Sequence, residues 1–304
     1  MGLPKAFRSL ARHFGFSLFW ILSVVLFWSP LWALFRLAVH DDRYSQILVI
    51  PVVVTSFIFL SGERIIQNCR YCLRLGIPLL LIALALYWTF VNTSALIVPG
   101  TRFSLAVFLI IVTWAFGFLT FYGTPAVRAA IFPLCLTIFL VPWPPLLLDK
   151  IVVALQHGSA ATTYALFRVA HVPILRHDLQ FSLPRFDIEI AAQCSGIRSS
   201  ISLFLAAILS GHMFLQSNWR RVCLSLCTIP VVIFKNALRI VTLALLGSYV
   251  DLGFLHGNLH RFGGLVFSLV GLVILVALIL LLQRAEGART ETISLEGLGT
   301  TRSE

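Results

Sequence analysis

Stretch after stretch of this 304-residue chain runs apolar for about the 20 residues that a helix needs to cross a bilayer. With 59% hydrophobic and only 12% charged residues, the composition excludes a soluble globular domain. The reading is an all-α polytopic membrane protein. Eight transmembrane helices are expected at about 16–38, 46–62, 77–96, 103–122, 126–141, 194–215, 222–247 and 262–283. They form one transmembrane domain, 1–284, and a polar tail, 285–304, that is expected to be disordered. The first run follows Lys5, Arg8 and Arg12 as the core of a signal peptide would, but it is too long for one. It reads as an uncleaved span, with Arg36 snorkelling at its far end.

The charges set the expected orientation. Alternate segments carry Lys5, Arg8 and Arg12, then Arg64, Arg70 and Arg74, then Arg128, then Arg220 and Arg221, then Arg284 and Arg289. The intervening short loops carry only Arg43, Arg102 and Arg261. By the positive-inside rule both termini are cytoplasmic. The net charge of +11 follows from that bias and implies no nucleic-acid partner.

Residues 142–193 fall on the outer side. Val141-Pro142-Trp143-Pro144-Pro145 stops the fifth span, and its Trp suits a membrane interface. Residues 146–170 read as an outer amphipathic helix, on the surface or dipping into it, with a stripe of Asp149, Gln156, Ser159 and Thr163. The period then changes. Leu179, Phe181 and Leu183 alternate with polar residues, as do Phe186, Ile188 and Ile190, and Pro184-Arg185 separates the runs. This predicts a small β-hairpin between spans 5 and 6. It leads into AAQCSGIRSS at 191–200.

Cys194 stands where that polar segment becomes the sixth span. A helix starting there aims its unbonded N–H groups and positive dipole end at the sulfur, which favours thiolate. The ordinary alternative is a small packed cysteine. The span count puts Arg239 in the outer half of the seventh span, with Lys235 one turn earlier and Asn236 beside it. His260 falls at the outer start of the eighth, with His256 as its rival. Arg239 within an apolar helix is costly unless it is paired or snorkels to headgroups. Asn236 suits an interhelical hydrogen bond, and a lone interfacial histidine is commonly structural. Ser195 follows the cysteine, and Arg198 lies one turn into its helix. Taken together, a thiol nucleophile, a proton-transferring imidazole and a fixed cation for an oxyanion are the parts of acyl transfer.

At these residues the chain resembles the exosortase/archaeosortase family of membrane-embedded cysteine transpeptidases. The matching pieces are AAQCSGIRS at 191–199, NALR at 236–239 and HRFGG at 260–264, with weaker similarity at 141–160 and 43–51. The resemblance implies a catalytic triad of Cys194, Arg239 and His260; Arg198, Ser195, Asn236 and His256 are supporting candidates by their positions. It implies substrates with a C-terminal sorting signal of PEP-CTERM type: a short motif, one transmembrane helix and a basic cluster. The motif would be cut at the outer face of the inner membrane through a cysteine thioester, and the product passed to a second nucleophile. Many bacterial members carry His-Gly after Tyr-Ser near the second span. Here Gln46-Ile47 follows Tyr44-Ser45, which leaves the subfamily and the motif open.

Of the other cysteines, Cys69, Cys72 and Cys223 fall on the reducing side, Cys227 lies close to it and Cys135 lies within a span. Cys194 is therefore the one thiol at the outer face. A zinc site from Cys69-x2-Cys72 and Cys223-x3-Cys227 has no supporting motif, and neither a metal nor a soluble cofactor is expected. The expected partners are the substrate protein and the bilayer. The rival functions are an anion-handling transporter lined by Lys235 and Arg239, a thiol-dependent membrane acyltransferase, and a non-catalytic scaffold. The chain shows no inverted repeat, which argues against the transporter.

Overall fold

The computed structural model describes residues 5–67, 69–93, 98–184, 186–191, 196–250 and 266–286. Its contacts divide the chain into two compact units, Met1–Leu148 and Asp149–Glu304. Backbone groups in hydrocarbon must be satisfied within their own segment, and the chain answers with helices. They are α1 (Lys5–Leu26), α2 (Trp28–His40), α3 (Gln46–Leu60), α4 (Gly62–Gln67), α5 (Leu73–Thr93), α6 (Pro99–Ala129) and α7 (Ile131–Leu136). Then come α8 (Pro145–Val169), strands β1 (Leu175–His177), β2 (Gln180–Ser182) and β3 (Asp187–Glu189), and helices α9 (Ile197–Phe214) and α10 (Asn218–Tyr249). The last described helix is α11 (Val266–Glu286).

Among the described residues, six helices are long and apolar enough to cross a membrane, and up to eight spans result if each of two bent pairs counts as one. The expected first span is one of those pairs. Leu10–Leu26 and Trp28–His40 meet at 76°. Pro30 accounts for the break: it lacks an N–H for the Leu26 carbonyl, and its ring collides with that carbonyl. The Leu10–Leu26 arm is only about 25 Å long at 1.5 Å per residue, short of the hydrocarbon core. The expected fifth span, 126–141, is not one helix either. Residues 126–129 complete α6, which kinks at Gly123 (φ +81°); α7 has six residues, and Thr137–Leu140 is a 3₁₀ segment.

In the first unit, Phe118, Tyr122, Ala126 and Ala130 form a buried cluster with Ile65, and Phe16 packs on it. Phe16 meets Phe118 and Tyr122 edge-on at 5.9 and 5.1 Å.

In the second unit, the buried positions of α8 are Val152, Leu155, Gln156, Ser159, Ala160, Thr163 and Phe167. Their three- and four-residue spacing marks one helix face. The predicted stripe of Gln156, Ser159 and Thr163 therefore turns into the protein rather than toward a surface; only Asp149 of that set is exposed. The predicted hairpin forms, with Phe181 opposite Ile188 and Ser182 opposite Asp187. A further strand, β1, pairs with the far edge of β2 to give the order β1-β2-β3. Phe181, Leu183 and Ile190 are buried with Ala160 and Phe167 of α8 and Val241 and Ala244 of α10. The alternation seen in the sequence is thus the alternation between packed and open faces.

Candidate active site

The described part of the site is built where α8, α9, α10 and the end of β3 meet. α9 starts at Ile197, with Gly196 as its N-cap in the left-handed region (φ +70°, ψ +19°). The sequence reading began this helix at Cys194; it begins three residues later. Only glycine adopts that φ without strain. A methyl there would also lie 3.4 Å from Asn236 Oδ1 and 3.5 Å from Ser199 Oγ. The Gly196 carbonyl accepts hydrogen bonds from Ser199 Oγ (2.9 Å), Ser200 Oγ (2.8 Å) and Ser200 N (2.9 Å). One carbonyl therefore fastens the turn to the first turn of the helix.

α10 supplies the other wall. Lys235 is only 4% exposed and Asn236 5%. Lys235 Nζ donates to Ser199 Oγ, and Asn236 Nδ2 donates to Ser159 Oγ of α8 at 3.0 Å. α11 closes over the lysine: a Cβ at Gly271 would meet Lys235 Cδ at 3.1 Å and Leu203 Cδ2 at 3.5 Å. At Gly271 the missing side chain is what lets α11 approach. On the other side, Gln156 Nε2 of α8 donates to the Ile190 carbonyl at 2.8 Å, just past β3.

Arg239 lies four residues beyond Lys235 on the same face of α10 and is half-buried. The α9–α10 hairpin is antiparallel, with Gly211 beside Leu224 and Ser199 beside Lys235. Continuing that register puts Arg239 level with the Gly196 cap. Arg198, one residue into α9, is exposed. The structure thus gathers Asn236, Arg239 and the start of α9 along the C-terminal half of α10. Lys235, singled out in the sequence only as a cation sharing a face with Arg239, is a central member of the cluster. Gln156 and Ser159 went unassigned to the site, although their three-residue spacing was the available signal. Cys194, Ser195, His256 and His260 lie outside the described residues.

Among the described residues no three His, Cys, Asp or Glu side chains gather as a metal site would require. Cys69, Cys72, Cys135, Cys223 and Cys227 carry unpaired thiols. The chemistry available to the described cluster is electrostatic: two cations and several fixed hydrogen bonds, at a helix start, in an apolar surround that strengthens them.

No curated protein and no solved structure matches the chain. The family model described as transmembrane exosortase matches residues 32–277. That interval contains the α8–β3–α9–α10 cluster, the Cys194 segment, the NALR turn with Arg239 and the HRFGG segment with His260. Since the match covers most of the chain, this multi-pass membrane protein belongs to the transmembrane exosortase family.

Proposed function

We propose that the protein is a membrane-embedded cysteine transpeptidase or protease that cleaves C-terminal sorting signals of PEP-CTERM type. The observation that carries this reading is the level of Arg239. Within the family match, the antiparallel α9–α10 register runs a half-buried cation to the level of the helix cap that follows Cys194 by two residues. The Cys194 thiolate attacks the scissile carbonyl, and Arg239 stabilises the oxyanion. The tetrahedral intermediate then expels the amine, which takes a proton from His260, leaving an acyl thioester on Cys194. A second nucleophile, water or the hydroxyl or amine of an acceptor, loses its proton to His260 and attacks the thioester, releasing the thiolate. Ser195, Arg198, Asn236 and His256 support the site. The reaction takes place on the outer face of the inner membrane, and the substrate's single helix and basic tail dock along the spans. The extended motif adds to β3, an edge strand of the sheet.

The test is co-expression of a substrate carrying a sorting motif, a helix and a basic tail with wild type or Cys194→Ala, followed by mass spectrometry. The expected result is cleavage and an acyl adduct on Cys194 in the wild type, and neither in the variant. Unchanged processing in Cys194→Ala would overturn the nucleophile. Transport of an anion without any Cys194 dependence would favour the transporter. Acyl transfer from a lipid thioester, without peptide cleavage, would favour the acyltransferase. Ile188→Pro with normal processing would remove the strand-addition step.

A further inference from the structure

The five residues between Ile190 and Gly196 carry Cys194, and both ends of that segment are tied to one buried polar seam. On the near side the Ile190 carbonyl is held by Gln156 of α8. On the far side Gly196 is held through Ser199 by Lys235, with Asn236 alongside. Asn236 links the two sides by bonding Ser159, which lies three residues after Gln156 on the same helix face. Gln156, Ser159, Lys235 and Asn236 are each 7% exposed or less.

Such a seam is expensive as mere packing. A buried ammonium loses several kcal/mol of hydration, and a serine hydroxyl returns only part of it. Among the described residues no carboxylate pairs with Lys235. An apolar side chain of similar length would fill the space between Leu203 and Gly271 without that penalty. A cation retained at such a position therefore serves something other than stability.

We infer that the Gln156–Ser159–Asn236–Lys235–Ser199 seam positions the segment bearing Cys194, with Lys235 as the positioning residue that fixes the Gly196 turn and supplies positive charge behind it. The inference rests on the proposed function for its catalytic meaning, not for its test. α8 then belongs to the active site, as the element that fixes the segment's entry. Among the described residues, the charged groups around this end are Glu189 at the end of β3, Arg198 on α9, and Lys235 and Arg239 on α10. The seam face of α8 brings no charge, since His157 is exposed and bonded to Asp178 at 3.3 Å.

The experiment uses the full chain in detergent or nanodiscs and follows iodoacetamide alkylation of Cys194 by peptide mass spectrometry from pH 6 to 10, beside a thermal melt. The other cysteines serve as internal references. In Lys235→Met the Cys194 profile should move to higher pH, and its rate at pH 7 should fall about tenfold, the size of a one-unit displacement in a thiol titration. The melting temperature should hold or rise. Lys235→Arg should restore most of the rate. Ser199→Ala, a milder change that keeps the helix, should move the profile the same way by less. In a processing assay Lys235→Met should lower kcat with little change in KM. An unchanged Cys194 profile in both Lys235→Met and Ser199→Ala would overturn the inference, as would a lowered melting temperature with no change in reactivity. If Cys194→Ala still processes substrate while Lys235→Met still shifts the profile, the proposed function fails and the positioning role stands.

Discussion

The first unit is held by rings and the second by polar contacts at chosen depths. Phe16 of α1 packs edge-on against Phe118 and Tyr122, which stack on each other at 4.8 Å. Two polar contacts between its helices involve rings: His13 Nδ1 to Tyr122 Oη at 2.8 Å, and Trp114 Nε1 donating to Ser23 Oγ at 2.8 Å. The second unit has an apolar cluster of its own, under the sheet, yet its helices meet through Ser159–Asn236 and Ser199–Lys235. Lipid tails are as apolar as the helices, so both units must be held by packing and hydrogen bonds rather than by exclusion from water. Rings fill volume and tolerate small shifts. Hydrogen bonds fix register, and the unit that uses them is the one that carries the cation cluster.

That contrast breaks most readily at its aromatic side. Phe16→Ala removes a partly buried ring and should cost about 3 kcal/mol of stability, the low end for phenylalanine, read as a lower melting temperature in detergent. Cys194 alkylation in the surviving folded fraction should stay unchanged. A changed alkylation profile would mean the two units are not functionally separable.

Next in size, Arg239→Leu should lower processing about 10²–10³-fold, the usual cost of losing an oxyanion donor, with the melt intact. Normal turnover would remove the arginine from the chemistry. Gly196→Ala should cost about 1–3 kcal/mol, because alanine must be held in the left-handed region. It should also slow processing by displacing Asn236 and Ser199, measurable as a lower kcat at wild-type expression.

The smallest effect belongs to the first unit. Asp41 accepts a bidentate set of bonds from Arg43, at 3.0 and 2.6 Å, and that guanidinium holds its carboxyl below the usual carboxylate range. A depressed carboxyl pKa adds stability above the unfolded value, which is lost as pH falls through the folded one. The pair is partly exposed, Arg43 at 49% and Asp41 at 25%, so solvent screening keeps the loss under about 1 kcal/mol. Asp41→Asn should lower the melting temperature slightly at neutral pH and flatten the acid limb of the melting curve below about pH 4, where the two proteins converge.

Much of this was legible in the residues themselves. The long apolar runs gave the helices, and the alternation of Phe181 with Ser182 and of Ile188 with Asp187 gave the hairpin. β1 was not legible, because Leu175-Arg176-His177 has no alternation to distinguish it from a loop. The bend after Leu26 had its signal in Pro30, but an unbroken apolar run on both sides concealed it. The α8 stripe was visible as a stripe, yet period alone cannot say which side of a helix faces the protein. The same polar face suits an interfacial helix and a buried seam. Arg239 was expected near the start of the sixth span because consecutive spans run in opposite directions, and the Ser199–Lys235 contact gives the register that sets it level with Gly196. The joint role of Gln156, Ser159 and Lys235 depends on three helices meeting, which no local window contains.

At the other end of α10, Glu286 of α11 accepts from Ser217 N at 2.7 Å and Gln216 N at 3.2 Å and pairs with Arg220 at 3.2 Å. From 69 residues downstream it fastens the two amides that lead into the helix. At about 5–20 residues per second of synthesis, the ribosome adds that acid roughly 3–14 s after it has made Ser217. For those seconds α10 stands with its leading amides and Arg220 without their carboxylate. The second unit therefore reaches its final fastening only when the last helix has been delivered to the membrane.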